Sequence, residues 1–202
     1  MNIINDKVTA YINEQYRPQS PELMEIRLQA EAVRVPIVLR DTEGLLLNLI
    51  QLKRPVHILE IGTAIGYSAA CMAAYFETCR ITTIESDEAV AEIARQNIER
   101  LGFADRITLL QGKAQDLMDD LKGPFDFVFI DASKSHYRIF WDKALTLCSP
   151  GAVILCDNIL MQGMTVSEEY DPRKKHKTHI RKMREFLDYI TSADYVDTSL
   201  LP

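Results

Sequence analysis

Along the first quarter of the chain the hydrophobic positions recur at helical spacing. Ile4, Val8, Tyr11 and Ile12 make one stripe, and "SPELMEIRLQAEAVR" (20–34) and "DTEGLLLNLIQLK" (41–53) make two more. Ser20 before Pro21 and Glu22 is a helix start, and so is Asp41. From Val56 onward the pattern changes to short apolar runs alternating with helical stripes. The strand "VHILEI" is followed by a helix over 68–76, the strand "RITTIE", a helix over 87–101 closed by Gly102, and the strand "RITLLQ". A short helix over 115–121, the strand "FDFVFID", a helix over 136–148 and the strand "AVILCD" after Pro150-Gly151 continue the alternation. The polar stretch 161–177 leads to a last helix, "THIRKMREFLDYITSA", and a short strand, "YVDTSLL". Strands separated by helices predict the α/β class: five buried strands in a doubly wound, mostly parallel sheet with an N-terminal helical extension.

With 202 residues, 47% of them hydrophobic, the chain has the size of one domain around one core. The expected division is N-terminal helices over 1–54 and the alternating core over 55–202, with no repeat or linker between them. A net charge of −6 excludes a protein that coats nucleic acid with its whole surface and leaves room for a local basic patch. Cys71, Cys79, Cys148 and Cys156 form no CxxC pair and sit in apolar segments, as reduced core residues do. Together with an N-terminus lacking an apolar leader, this predicts a cytoplasmic location.

Candidate chemistry begins in "HILEIGTAIGYSAA" (57–70). A dinucleotide fingerprint requires GxGxxG, whose middle glycine admits a pyrophosphate; here Ala64 stands between Gly62 and Gly66. Glu60, at the end of the first strand, would oppose a pyrophosphate but favours a cationic ligand. S-adenosylmethionine carries an ammonium and a sulfonium, and Glu85 after the second strand can hold its ribose diol. A methyl donor therefore fits better than a nicotinamide, and Ser68 belongs to the same turn. The bland alternative is a tight strand-to-helix turn and nothing more.

Asp131 closes the fourth strand and Asp157-Asn158 the fifth, so a parallel sheet gathers their oxygens beside that crevice. Oxygen donors without His or Cys suit Mg²⁺, or Mn²⁺ in its place. Lys134, one turn beyond Asp131, is positioned to accept or favour loss of an acceptor's proton. Arg173, Lys174, Lys175 and Lys177, continued by Arg181, Lys182 and Arg184, form a positive segment suited to phosphates, with Tyr170 or Tyr137 available to stack on a base. A solvated helix face is the alternative reading.

"ILEIGTAIGYSA", "FDFVFIDASKSHY" and "ILCDNIL" resemble the cation-dependent O-methyltransferases of the catechol and caffeoyl-CoA type, which have a class I, Rossmann-like methyltransferase fold. "VPIV", "DNILMQG" and "DPRKKHK" bring the chain nearest to the bacterial tRNA 5-hydroxyuridine methyltransferases. The resemblance implies S-adenosylmethionine against Val38, Glu60, Gly62, Gly66, Ser68, Glu85, Lys113, Ala114 and Asp131, and a cation on Asp131, Asp157 and Asn158. It implies tRNA as partner, with the wobble 5-hydroxyuridine methylated to 5-methoxyuridine; Lys134 and Asp131 are the expected catalytic pair, and the N-terminal helices and C-terminal edge suit a homodimer. A catechol-like small molecule is the alternative acceptor, and a non-catalytic cofactor-binding module a more distant one. Two departures stand out: relatives continue through a glycine turn into a further antiparallel strand where this chain stops at Pro202, and Ser135 replaces a frequent glycine.

Overall fold

The structure, a computed structural model, describes residues 5–202, so the stripe position Ile4 lies outside the described residues. Three helices come first: α1 (Asp6–Gln15), α2 (Pro21–Val33) and α3 (Arg40–Lys53). Ser20 caps α2 as its sequence predicts, accepting from the Leu23 amide at 3.2 Å. The alternating core follows as β1 (His57–Ile61), α4 (Tyr67–Tyr75), β2 (Arg80–Glu85), α5 (Glu88–Arg100), β3 (Ile107–Gln111), α6 (Ala114–Leu117), β4 (Phe125–Ile130), α7 (Tyr137–Leu147) and β5 (Cys148–Cys156), and α8 (Lys177–Thr191) closes the chain.

The five strands pair in the order β3-β2-β1-β4-β5, every pair parallel. From β1 the chain winds outward to β3 and then returns to the other side of β1 at β4. The order therefore reverses between β1 and β4, where an open α/β sheet leaves a crevice beyond its strand ends. Side chains alternate across the sheet. Ile58, Ile81, Ile107, Phe127 and Phe129 share one core with α2, α3, α4 and α5, while Leu59, Ile61, Val128 and Ile130 share the other with α7 and α8. The doubly wound α/β architecture agrees with the sequence pattern.

The larger differences from that pattern lie in the second half of the chain. The helix expected over 115–121 is a single turn, Ala114–Leu117, because Asp119 and Asp120 continue as turn rather than helix. The helix expected to reach Cys148 ends at Leu147, and β5 starts at Cys148, before Pro150. Nor are all five strands buried: β5 is half-buried and partly exposed, as an edge strand is. The strand expected at "YVDTSLL" does not form. The Thr198 hydroxyl donates to the Ile190 carbonyl at 3.1 Å and the Tyr195 hydroxyl to the Tyr189 hydroxyl at 2.8 Å, which folds the tail onto α8 instead of onto the sheet.

All four cysteines are free thiols, in agreement with the sequence reading. Among the described residues no helix is long and apolar enough to cross a membrane. Phe127 is fully buried where β4 meets the α2–α5 layer. Phe127→Ala is expected to cost about 3–5 kcal/mol of stability, read from the urea midpoint, through lost burial and the cavity left behind.

Candidate active site

The turn after β1 is built around Gly62, at φ 102°. A Cβ there would lie 2.0 Å from the Asp131 carbonyl oxygen, so only glycine lets the ends of β1 and β4 approach this closely. The Gly62 and Thr63 amides both donate to the Ile84 carbonyl, at 3.0 and 3.2 Å, which draws the end of β2 into the same corner. Ala64, standing where a dinucleotide loop has its middle glycine, adopts φ 45° and donates its amide to Glu85 Oε2 at 2.9 Å. Gly66 follows at φ 83°, against the backbone of α5, and Ser68 sits in the first turn of α4.

Glu60 is fully buried. Its Oε2 accepts from the Thr83 hydroxyl at 2.5 Å, on the register neighbour in β2, while its Oε1 has no protein partner. Burial pushes the carboxyl up to about 7 against the pull of Ser68 and Thr83. An orphaned acidic oxygen beside a glycine corner suits a cationic donor, as does the Glu85 carboxylate beneath Ala64. Lys113 caps α6 and Ala114 begins it, just after β3, and the preceding Gly112 amide donates to the Glu85 carbonyl at 2.8 Å. Val38 is buried in the loop before α3.

Across the β1–β4 crevice, Asp131 and Asp157 end their strands, the Asp131 amide on the Ile61 carbonyl and the Asp157 amide on that of Ile130, each at 2.9 Å. The Lys134 ammonium spends its three protons on Asp131 Oδ1 (3.1 Å), the Tyr137 hydroxyl (2.8 Å) and the Asp157 carbonyl (3.2 Å). Burial, reinforced by the Asp131 charge, pushes the Asp157 carboxyl up to about 6. Asn158, at φ 59°, donates its backbone amide to Asp157 Oδ1 at 2.7 Å and its side-chain amide to Oδ2 at 2.9 Å. Two crowded carboxylates and an amide make an all-oxygen donor set suited to a hard cation. Among the described residues no three or more His, Cys, Asp or Glu gather as metal ligands, so any such site depends on Asn158 as its third ligand.

The structure thus brings together Glu60, Gly62, Gly66, Ser68, Glu85 and Asp131 on one side and Lys134, Asp157 and Asn158 on the other. It moves Tyr137 out of its expected role: the ring is 1% exposed and its hydroxyl serves the Ile130 and Asp157 carbonyls, so it cannot stack on a base. Arg173, Lys174, Lys175 and Lys177 are exposed, and Asp171 holds their loop through the Lys175 and His176 amides at 3.2 and 3.0 Å. Arg184 is tied by its Nε to the Thr165 carbonyl at 2.7 Å. A set the sequence reading missed is Arg27, Glu43 and Tyr67, all buried. Its signal was there: Arg27 stands within the apolar stripe of α2 and Glu43 within that of α3.

A parallel sheet in this order, with a glycine corner after β1 and acids closing β2, β4 and β5, defines a class I methyltransferase fold. Within that class the chain belongs to the O-methyltransferase family, whose model matches residues 15–202. It is 38% identical over 145 residues to the catechol O-methyltransferase of Niastella koreensis, covering 69% of this chain and 66% of the relative. It is 33% identical over 200 residues to caffeoyl-CoA O-methyltransferase 1 of Zea mays, covering 92% of this chain and 76% of the other. The crystal structure of an O-methyltransferase from Bacillus cereus in complex with SAH superposes with a TM-score of 0.80 at 31% identity, over 93% of this chain and 86% of that one. The chain spans just under two thirds of the length of the Niastella relative.

Glu60 supplies a pH test. In the unfolded chain its carboxyl ionises near 4.5; in the native state it holds its proton to about 7. Native stability therefore falls as pH rises between these values, by about 3 kcal/mol in all, and is fully present below the lower one. In the ligand-free protein, Glu60→Gln should remove this loss, so the urea midpoint of wild type minus that of the variant should decline between pH 5 and pH 8. A constant difference would contradict the buried acid.

Proposed function

We propose that this chain is an S-adenosylmethionine-dependent, divalent-cation-assisted O-methyltransferase acting on acceptors with two adjacent oxygens. The observation carrying this reading is the junction of Gly62 with Asp131, which sets the orphaned Glu60 corner beside the Asp131–Lys134–Asp157 cluster. When bound, the donor supplies the methyl group, and the cation supplies Lewis acidity that favours loss of the acceptor hydroxyl proton. Glu60, Glu85 and the turn over 62–66 hold and orient the donor, with Val38, Ser68, Lys113 and Ala114 beside it. Asp131, Asp157 and Asn158 present the oxygens for the cation. Lys134, already donating to Asp131 and to the Asp157 carbonyl, holds positive charge where an acceptor oxyanion gains from it. Positioning is the larger contribution, of order 7–11 kcal/mol in favourable cases against the smaller factor typical of general-base catalysis.

Within that reaction we infer 5-hydroxyuridine at the tRNA wobble position as acceptor, its 5-hydroxyl and 4-carbonyl forming the oxygen pair. The exposed Arg173, Lys174, Lys175 and Lys177 support it, since phosphate contacts need solvent-facing cations on a held backbone. They flank α8, which packs against the turn carrying Lys134. A surface cavity of about 340 Å³ along α8 is lined by Lys174, Lys177, Arg181 and Arg184 and by as many acids, Glu168, Asp171, Glu185 and Asp188, so its charge is mixed. A catechol or caffeoyl-CoA-type acceptor is the second reading, favoured by the names of the relatives.

Two measurements decide. Asp157→Ala should abolish methyl transfer while SAH binding by calorimetry is retained; loss of both would place Asp157 in donor binding instead. Charge reversal of Arg173, Lys174 and Lys175 together should lower kcat/KM on tRNA carrying 5-hydroxyuridine at least about tenfold and leave a catechol acceptor unaffected. Equal activity on that tRNA would favour the small-molecule reading.

A further inference from the structure

Beneath the donor-facing loops lies a buried polar cluster that the proposed chemistry does not use. Arg27, 2% exposed, donates to Glu43 Oε2 at 2.7 Å, to the Val38 carbonyl at 2.8 Å and to the Tyr67 hydroxyl at 3.0 Å. The Tyr67 hydroxyl in turn donates to Glu43 Oε2 at 2.9 Å. A buried ion pair between two helices is rarely worth its desolvation as a stabiliser alone. Its ends are informative: Val38 belongs to the loop before α3, and Tyr67 directly follows Gly66. Glu43 lies in the first turn of α3 beside Asp41, whose charge adds to the raised Asp157.

The remaining Glu43 oxygen, Oε1, accepts from the Tyr16 hydroxyl at 2.9 Å. Tyr16 is the residue after α1, and its ring lies near two guanidiniums, Arg27 and Arg40, each 5.3 Å from the ring centroid. None of Asp6–Gln15 is buried, and Val8 and Tyr11 are exposed. α1 therefore has little apolar surface holding it down, and Tyr16 reaches the cluster in its place.

We propose that Tyr16 is a positioning residue: by completing the Arg27–Glu43–Tyr67 cluster it couples docking of α1 to the backbone at Val38 and to the first turn of α4, and so sets donor affinity. The proposal rests on the reading of these two segments as donor-binding. With α1 docked, Glu43 is held on both oxygens, and Arg27 bridges Glu43 to the Val38 carbonyl. With Tyr16 withdrawn, one carboxylate oxygen loses its partner in a dry site, and the cluster must rearrange or admit water.

Tyr16→Phe keeps the ring near the two arginines and removes only the hydroxyl. The expected result is a rise of about threefold to tenfold in the SAH dissociation constant and in the KM for the donor, with kcat at saturating donor unchanged. Tyr11→Phe, on the exposed face of α1, serves as control and should change neither. Hydrogen exchange in the ligand-free protein should quicken over 35–42 and 66–70 in Tyr16→Phe. Unchanged SAH affinity and unchanged exchange in these segments would overturn the coupling, even if thermal stability fell. A wild type that fails to bind SAH would instead refute the donor reading, while the ligand-free exchange would still decide whether Tyr16 controls the two segments.

Discussion

The approach of β1 to β4 beyond their last paired residues is the constraint on which the rest of the molecule turns. At Gly62 the backbone passes so near the Asp131 carbonyl that no side chain fits, and the Asp131 amide is bonded to the Ile61 carbonyl in the same corner. Two groups of strand-end residues are thereby fused: the turn and acids at the ends of β1 and β2, and the carboxylates at the ends of β4 and β5. Both hang from one stretch of parallel ladder packed on both faces. Chemistry that depends on the alignment of a donor with an acceptor gains directly from such rigidity.

Polar groups within the packed layers follow a consistent logic. Thr83 meets Glu60 across the β1–β2 register, and its hydroxyl also contacts that of Thr63 at 2.5 Å, so one threonine serves both the acid and the turn beyond it. Tyr137 places a hydroxyl beneath Lys134 and against two strand-end carbonyls. Such groups are costly unless satisfied. Satisfaction is incomplete at Glu60 Oε1, as it is at Gln19 Nε2 and Trp141 Nε1, and of the three only the Glu60 atom lies at the β1 strand end.

Much of this was legible in the sequence, and the reasons divide by element. Strands buried on both faces, such as "FDFVFID", write themselves as apolar runs, and Gly62, Asp131 and Asp157 mark strand ends through residue types that punctuate chains. The tail at Tyr195–Leu201 misled because its apolar residues suit a strand locally, whereas its hydrogen bonds go to α8. Tyr137 misled for a related reason. An aromatic beside a strand-end acid looks available, and only tertiary packing shows that its ring is buried, in T-shaped contact with Phe186 at 5.8 Å. The Arg27–Glu43 pair spans sixteen residues and two helices, a relation that no local period encodes.

The half-buried edge strand carries its own safeguard. Among the described residues no strand pairs with the outer side of β5, which would ordinarily leave its backbone donors and acceptors open to another chain. Pro150 has no N–H to offer there, and Gly151, at φ 72°, turns the backbone out of extended geometry. The first half of the strand is thus a poorer partner for a newcomer, a gatekeeper against edge-to-edge aggregation. The run from Ala152 to Cys156 keeps its pairing capacity, so any recruitment along this edge must start next to Asp157.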